Sequence, residues 1–278
     1  MNKTSENYYE IKPPKSFVQI DFPELWRFRE LFYIFIWRDI KVRYKQTAVG
    51  VFWAILQPFL TMIIFTVFFG RLAKVPSDNT PYAIFVFAGL VYWNYFSIAL
   101  ANMSSSLVEH EGIIKKIYFP RLILPCASAF TPVIDFLLAL VILVALMAFY
   151  HFHPNYIGFI LIPVLILISI FSVLGLGLFL ASINVKYRDV RYVLPFFIQI
   201  LLFVTPVIYP ISIIPSRFQW IVFLNPMAGV ITVARNSLLH FGAIDWKLLL
   251  ISLGISLIFL VFGIYYFRKT ERFFADIL

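Results

Sequence analysis

Five stretches of this chain run for twenty residues or more without one Asp, Glu, Lys or Arg: Ala48–Gly70, Tyr82–Leu107, Tyr156–Val185, Tyr192–Ser216 and Leu248–Phe267. A sixth, Leu122–Tyr150, is interrupted only by Asp135. A helix rises 1.5 Å per residue, so about 20 apolar residues cross a hydrocarbon core of about 30 Å. In that solvent every backbone amide and carbonyl must find a partner inside the protein, which leaves helices or a closed barrel. Runs of this length choose helices. The expectation is an all-α polytopic membrane protein with spans at about 48–70, 82–107, 122–150, 156–185, 192–214 and 248–267.

Charge decides which way such a bundle faces. The chain is 62% hydrophobic and only 13% charged, with a net charge of +9. Eighteen of its 23 Lys and Arg fall in four places: residues 1–47, the loop 108–121, the loop 186–191 and the tail 268–278. With six spans all four lie on one side, and the positive-inside rule makes that side cytoplasmic, both termini included. The positive charge hugs the span ends, which explains it by topology rather than by nucleic acid. Residues 1–47 do not read as a signal peptide, being long, mixed in charge and without a small-residue cleavage site.

Residues 21–47, "DFPELWRFRELFYIFIWRDIKVRYKQT", start as a helix does, with Asp21 or Phe22 at the cap and Pro23 in the first turn. Leu25, Phe28, Phe32, Phe35 and Ile36 recur at helical spacing, while Arg38, Lys41 and Lys45 share another face. That pattern predicts an amphipathic helix lying in the membrane interface. It is either a simple anchor or a platform for a cytoplasmic partner.

The fifth run carries Pro195, Pro206, Pro210 and Pro215. Each proline removes a backbone hydrogen bond, so this span is expected to break before it reaches the external surface. "FLNPMAGVITVARNSLLHF" then restarts a helix, with Asn225 as cap and Pro226 at its first position. Residues 215–246 therefore read as short external re-entrant helices, built either to line a passage or merely to pack.

Catalytic chemistry is hard to place. There is no G-x-x-x-x-G-K-[ST] phosphate loop and no G-x-S-x-G elbow. The external segments offer only Asp78, Asp245, His151, His153 and His240, widely scattered, and His151-x-His153 lacks a third ligand. The lone Cys126 excludes a disulfide framework. No catalytic residue and no metal site is expected. Asp135 is the one acid deep in a span, and is expected to be hydrogen-bonded between helices rather than to relay protons.

One short loop stands apart. "GIIKKIYFPRLILP", residues 112–125, packs Lys115, Lys116 and Arg121 around Ile117, Tyr118 and Phe119 and closes with Pro120 and Pro125. Interfacial aromatics and positive-inside lysines explain each residue singly, but less well their concentration.

With "RDIKVRYKQTAVGVFWAILQP" (38–58), "IIKKIYFPRLILP" (113–125), "NVKYRDVRYVLP" (184–195), "VTPVIYP" (204–210) and "LNPM" (224–227) in this order, the chain resembles the type-2 membrane subunits of ABC exporters for cell-surface polysaccharides. The resemblance covers about residues 20–268. It implies a homodimer in the bacterial cytoplasmic (inner) membrane with two copies of a separate ATPase. No cofactor is then expected on this chain, and ATP and Mg belong to the partner. It also implies that the loop 108–121 forms a coupling helix on the ATPase. Ile113, Ile114, Ile117, Tyr118 and Phe119 would be apolar knobs of that interface, Lys115, Lys116 and Arg121 its rim, and Pro120 its exit.

The first and fifth spans would line the channel at the dimer interface. Aromatic rings stack on the apolar C–H faces of sugars without trapping a moving polymer. Phe52, Trp53, Phe59, Phe203 and Tyr209 are the candidates for that path. The expected cargo is a lipid-linked polysaccharide, O-antigen first, with teichoic acid, capsule or a drug as alternatives within the family. A membrane enzyme of glycan assembly, such as an acyltransferase, is the alternative in kind.

Overall fold

The computed structural model describes residues 22–45, 50–239 and 245–274. Asp21, the Ala48 start of the first span, His240 and the outer parts of both termini lie outside them.

Two helices, α1 (Phe22–Arg27) and α2 (Arg29–Lys45), lead into α3 (Gly50–Phe65), which continues through a wider helical stretch at Thr66–Leu72. Then follow α4 (Tyr82–Glu109), the single-turn α5 (Glu111–Ile114), α6 (Ile123–Phe130), α7 (Val133–Phe149) and α8 (Tyr156–Lys186). The chain ends with α9 (Val190–Val204), α10 (Ser216–Phe223), α11 (Pro226–Leu239) and α12 (Trp246–Glu271). Every regular element among the described residues is helical.

Five single helices or near-continuous pairs are long and apolar enough to cross a membrane, and the bent pair α10–α11 raises the count to six. The span expected over 192–214 is not one of the five. α9 is 15 residues long and rises about 22 Å, short of a bilayer's apolar thickness. Its chain leaves the helix at Thr205, because Pro206 and Pro210 cannot donate to the preceding turns. The span over 122–150 is also split: α6 and α7 part at Thr131-Pro132. Asp135 then falls in the first turn of α7, where the positive end of the helix dipole favours a carboxylate.

α4 is the post around which the bundle is built. In its most apolar window 83% of residues are buried, against 11% for the span that contains α3. Tyr92, Tyr95, Phe85, Phe87 and Phe96 are its large enclosed side chains. α8 and α12 make the closest crossing, through glycine. A Cβ on Gly175 would lie 2.4 Å from the Phe259 backbone, and one on Gly263 only 2.1 Å from the Gly175 carbonyl. Small residues let membrane helices approach to backbone contact. The Ser172 and Ser256 hydroxyls hydrogen-bond across the same seam at 2.8 Å.

α11 departs from the interfacial short helix its length invites. It is buried along nearly its whole length and packs against α4, α8 and α12. α10 and α11 bend by 112° at Asn225, whose side-chain oxygen accepts from the Met227 amide at 3.0 Å and caps α11.

Candidate functional site

The four segments rich in Lys and Arg meet at one end of the molecule. The Tyr118 hydroxyl donates to Glu24 of α1 at 3.0 Å, and the Arg121 guanidinium donates to the Glu271 carbonyl at the end of α12. Phe35 of α2 packs on Phe119 and on His110, ring centroids 6.0 Å apart in each pair. His110 also meets the Arg38 guanidinium, which pairs with Asp39 at 2.8 Å. Lys41 lies over the Trp37 ring.

Within the loop, the side chains divide. Ile117 and Tyr118 are 63% and 64% exposed, whereas Phe119 is 4% exposed. Phe119 thus turns inward within the expected row of knobs, covered by Phe35 of α2. Ile113 and Ile114 are half-buried against the core. Lys115 pairs with Glu111 one turn back at 2.6 Å, and this bond draws the Glu111 carboxyl below the usual carboxylate range. Lys116 is exposed and Pro120 half-buried. Partial burial, and then the Glu24 carboxylate beside it, push the Tyr118 phenol up. The presentable surface is Ile117 and Tyr118 ringed by Lys115 and Lys116.

The path candidates divide too. Phe52, Trp53 and Phe203 are exposed. Phe59 is half-buried against the core. Tyr209 has a structural task, its hydroxyl donating to the carbonyls of Phe203 (3.1 Å) and Val204 (2.9 Å) in the last turn of α9. Asp135 accepts from Tyr44 and Arg43 of α2, so it ties α7 to the entry helix. Lys45 is exposed.

Sequence reasoning counted Arg235 as one more external charge. It is instead 4% exposed and organises the break after α9. Its guanidinium donates to the carbonyls of Phe85 (3.0 Å), Pro206 (2.6 Å), Val207 and, weakly, Tyr209 (3.5 Å). It also lies 3.8 Å over the Phe85 ring. Gly89 makes the room, since a Cβ there would stand 2.3 Å from Nη2. Tyr82 donates to the Ile208 carbonyl at 2.7 Å, and the Thr205 and Pro210 carbonyls accept from Val207 and Ile213. Each carbonyl from 205 to 210 is therefore engaged, which lets irregular backbone persist at membrane depth. Asn225 adds a bond to Thr205 at 2.8 Å. The readable signal was an Arg set among small and apolar residues in a helical run, "VITVARNSLL".

A transporter family model, "ABC-2 type transporter", matches residues 30–239. The chain belongs to that family. It is 27% identical over 241 residues to the O-antigen export system permease protein RfbA of Klebsiella pneumoniae, covering 87% of this chain and 92% of the relative. It is 28% identical over 255 residues to the protein of the same name from Myxococcus xanthus, covering 91% and 97%. The polysialic acid transport protein KpsM of Escherichia coli is 25% identical over 243 residues, covering 84% and 91%. The matched region runs from α2 to the end of α11 and so contains the loop 108–121, the broken α9 and Arg235. Transport-permease relatives over most of the chain place it among transporters and not among enzymes of glycan assembly.

Proposed function

We propose that the chain is the membrane-spanning permease subunit of an ATP-driven exporter of lipid-linked polysaccharide, O-antigen being the first candidate. It works as a homodimer in the bacterial cytoplasmic (inner) membrane, with both termini cytoplasmic. Two copies of a separate ATPase bind ATP and Mg. The observation that carries the reading is the likeness to O-antigen export permeases along 87% of the chain, joined to ring-rich outer faces on α3 and α9. Phe52, Trp53 and Phe68 stand out from the α3 span, and Phe196, Phe197 and Phe203 from α9. A second copy covering those faces would leave a passage walled by aromatics and free of fixed charge, which suits a sliding sugar polymer.

At the other functional surface, Ile117 and Tyr118 seat in the ATPase, and Lys115 and Lys116 orient it from the rim. Movement of the ATPase then reaches the bundle by two routes: through Phe119 and Phe35 to α2, and through Arg121 to α12. α2 passes it on through Arg43 and Tyr44 to Asp135 of α7.

The test is complementation in a polymer-producing strain that lacks its own exporter. Surface glycan should return only when this chain and a Walker-motif ATPase are expressed together. Glycan exported by the chain alone, or ATP hydrolysis by the purified chain, would refute the assignment.

A further inference from the structure

A cleft of about 700 Å³ opens between α2, α3, α4 and α7. Gln57 of α3, Asn94 of α4 and Asp135 of α7 line it, with Arg43 at one end and Trp53 and Tyr95 as aromatic walls. Trp53 is 55% exposed, so the cleft opens sideways off the subunit.

The amides of Gln57 and Asn94 make no hydrogen bond to any described residue; only their backbone carbonyls accept, from Thr61 and Ser97. Both sit on membrane-spanning helices, where a polar group without a partner is costly. Gln57 is exposed and Asn94 half-buried, so both amides are open to whatever enters the cleft.

The lining says what kind. Asp135 is matched by Arg43, which leaves the cleft without net charge and gives neither a bare phosphate nor a cation an advantage. Paired donors and acceptors beside flat rings suit a hydroxyl-rich, uncharged group, which offers hydroxyls to the amides and a C–H face to the indole. The volume is that of a small-molecule pocket. We propose that this cleft is a subsite for a neutral sugar unit carried on a lipid, held by Gln57 and Asn94 and stacked on Trp53. Its lining comes from one subunit, and at Trp53 it opens onto the proposed passage between subunits. The inference rests on the reading of the chain as a polysaccharide exporter and adds where a lipid-borne sugar is held.

Two experiments on the full permease–ATPase complex in polymer-producing cells test it. With p-benzoylphenylalanine in place of Gln57, ultraviolet light should yield an adduct that reacts with glycan-specific antibody. An adduct carrying phospholipid alone, or none, overturns the subsite. The double variant Gln57→Leu with Asn94→Leu should lose export several-fold per assembled complex, while its melting temperature stays level or rises, because two unpartnered amides have been removed. Normal export in that variant, or a loss that only follows a lower melting temperature, overturns the subsite and leaves the exporter reading standing. A wild-type complex that exports no glycan overturns both.

Discussion

Arg235 is where the structure makes its sharpest quantitative demand. In Arg235→Met the side chain keeps most of its length but leaves the carbonyls of Pro206 and Val207 without donors and removes the second donor of the Phe85 carbonyl, which also closes a turn of α4. A buried carbonyl stripped of its partner costs about 1–3 kcal/mol. Returning a guanidinium to water in the unfolded reference offsets part of that, because a buried cation carries a desolvation cost of several kcal/mol of its own. We expect a net loss of about 3 kcal/mol, which for a chain of this size lowers an apparent melting temperature by roughly 6–12 °C. Arg235→Lys should fall between, since an ammonium can reach one or two carbonyls but lacks the planar fork.

Gly89→Ala acts on the same interaction from the other side. Its new methyl would occupy the place of Nη2, 2.3 Å away, and so breaks chiefly the bond to Val207, at a cost of about 1–2 kcal/mol. The two substitutions remove one interaction between them, so the double variant should be less destabilised than their sum by about 1 kcal/mol. The assay is thermal unfolding of the purified protein in one detergent, with recovery of folded protein as a control. Strict additivity, or an Arg235→Met variant as stable as wild type, would refute the account of Arg235 as the clamp on 205–210.

Other expectations are simpler. Ile117→Ala with Tyr118→Ala should leave the permease folded and weaken co-purification of the ATPase, whereas Phe119→Ala should instead lower thermal stability by about 3 kcal/mol as a buried aromatic does. Tyr209→Phe removes the hydroxyl that caps two α9 carbonyls and should cost about 1 kcal/mol in unfolding experiments, although the ring remains. Phe52→Ala and Phe203→Ala should slow export several-fold per assembled complex with no change in melting temperature; normal surface polymer in both would mean these rings face lipid. Gly263→Leu should prevent folding of the α8–α12 seam, read as loss of monodisperse protein.

The bundle was legible because hydrocarbon imposes one local rule on every residue: runs without charge become helices. The breaks were legible in part, through Pro206, Pro210 and Asn225-Pro226, since proline and the Asn cap act within a few residues. What those breaks rest on was not. The partners of 205–210 include Tyr82 on α4, 126 residues from Ile208 in sequence, and Arg235 on α11, itself held against Phe85 150 residues away, and no local periodicity encodes such contacts. Phe119 shows the same limit at the loop. Its neighbours Ile117 and Tyr118 have the same character in sequence, and only the position of Phe35 on α2 turns one inward and leaves two outside. Tyr209 was chosen for its ring, yet its position is fixed by its hydroxyl.

The distribution of burial also bears on how such a permease could move. α4, α8, α11 and α12 share glycine contacts, the Ser172–Ser256 bond and the enclosed Arg235, and separating them would expose polar groups to lipid. Among the described residues, the bodies of α3 and α9 carry fewer such ties, at Gly70 against Tyr82 and at the 205–207 backbone after α9; their outer faces are rings and aliphatics at home against lipid or another copy. A displacement of α3 or α9 therefore exchanges one apolar neighbour for another at small cost, whereas a displacement of α11 breaks several buried hydrogen bonds at once. On this physical ground we propose α11 as the fixed rim of the passage and α3 and α9 as its moving walls. α2 is the lever best placed to drive α3: it precedes it in the chain, touches Phe119 of the loop, and is pinned to α7 through Asp135. Asp135→Asn keeps the Tyr44 hydrogen bond but removes the charge that faces Arg43. It should therefore leave ATPase binding intact while uncoupling hydrolysis from export, and complexes that hydrolyse ATP and export glycan at the wild-type ratio would show that this tie transmits nothing.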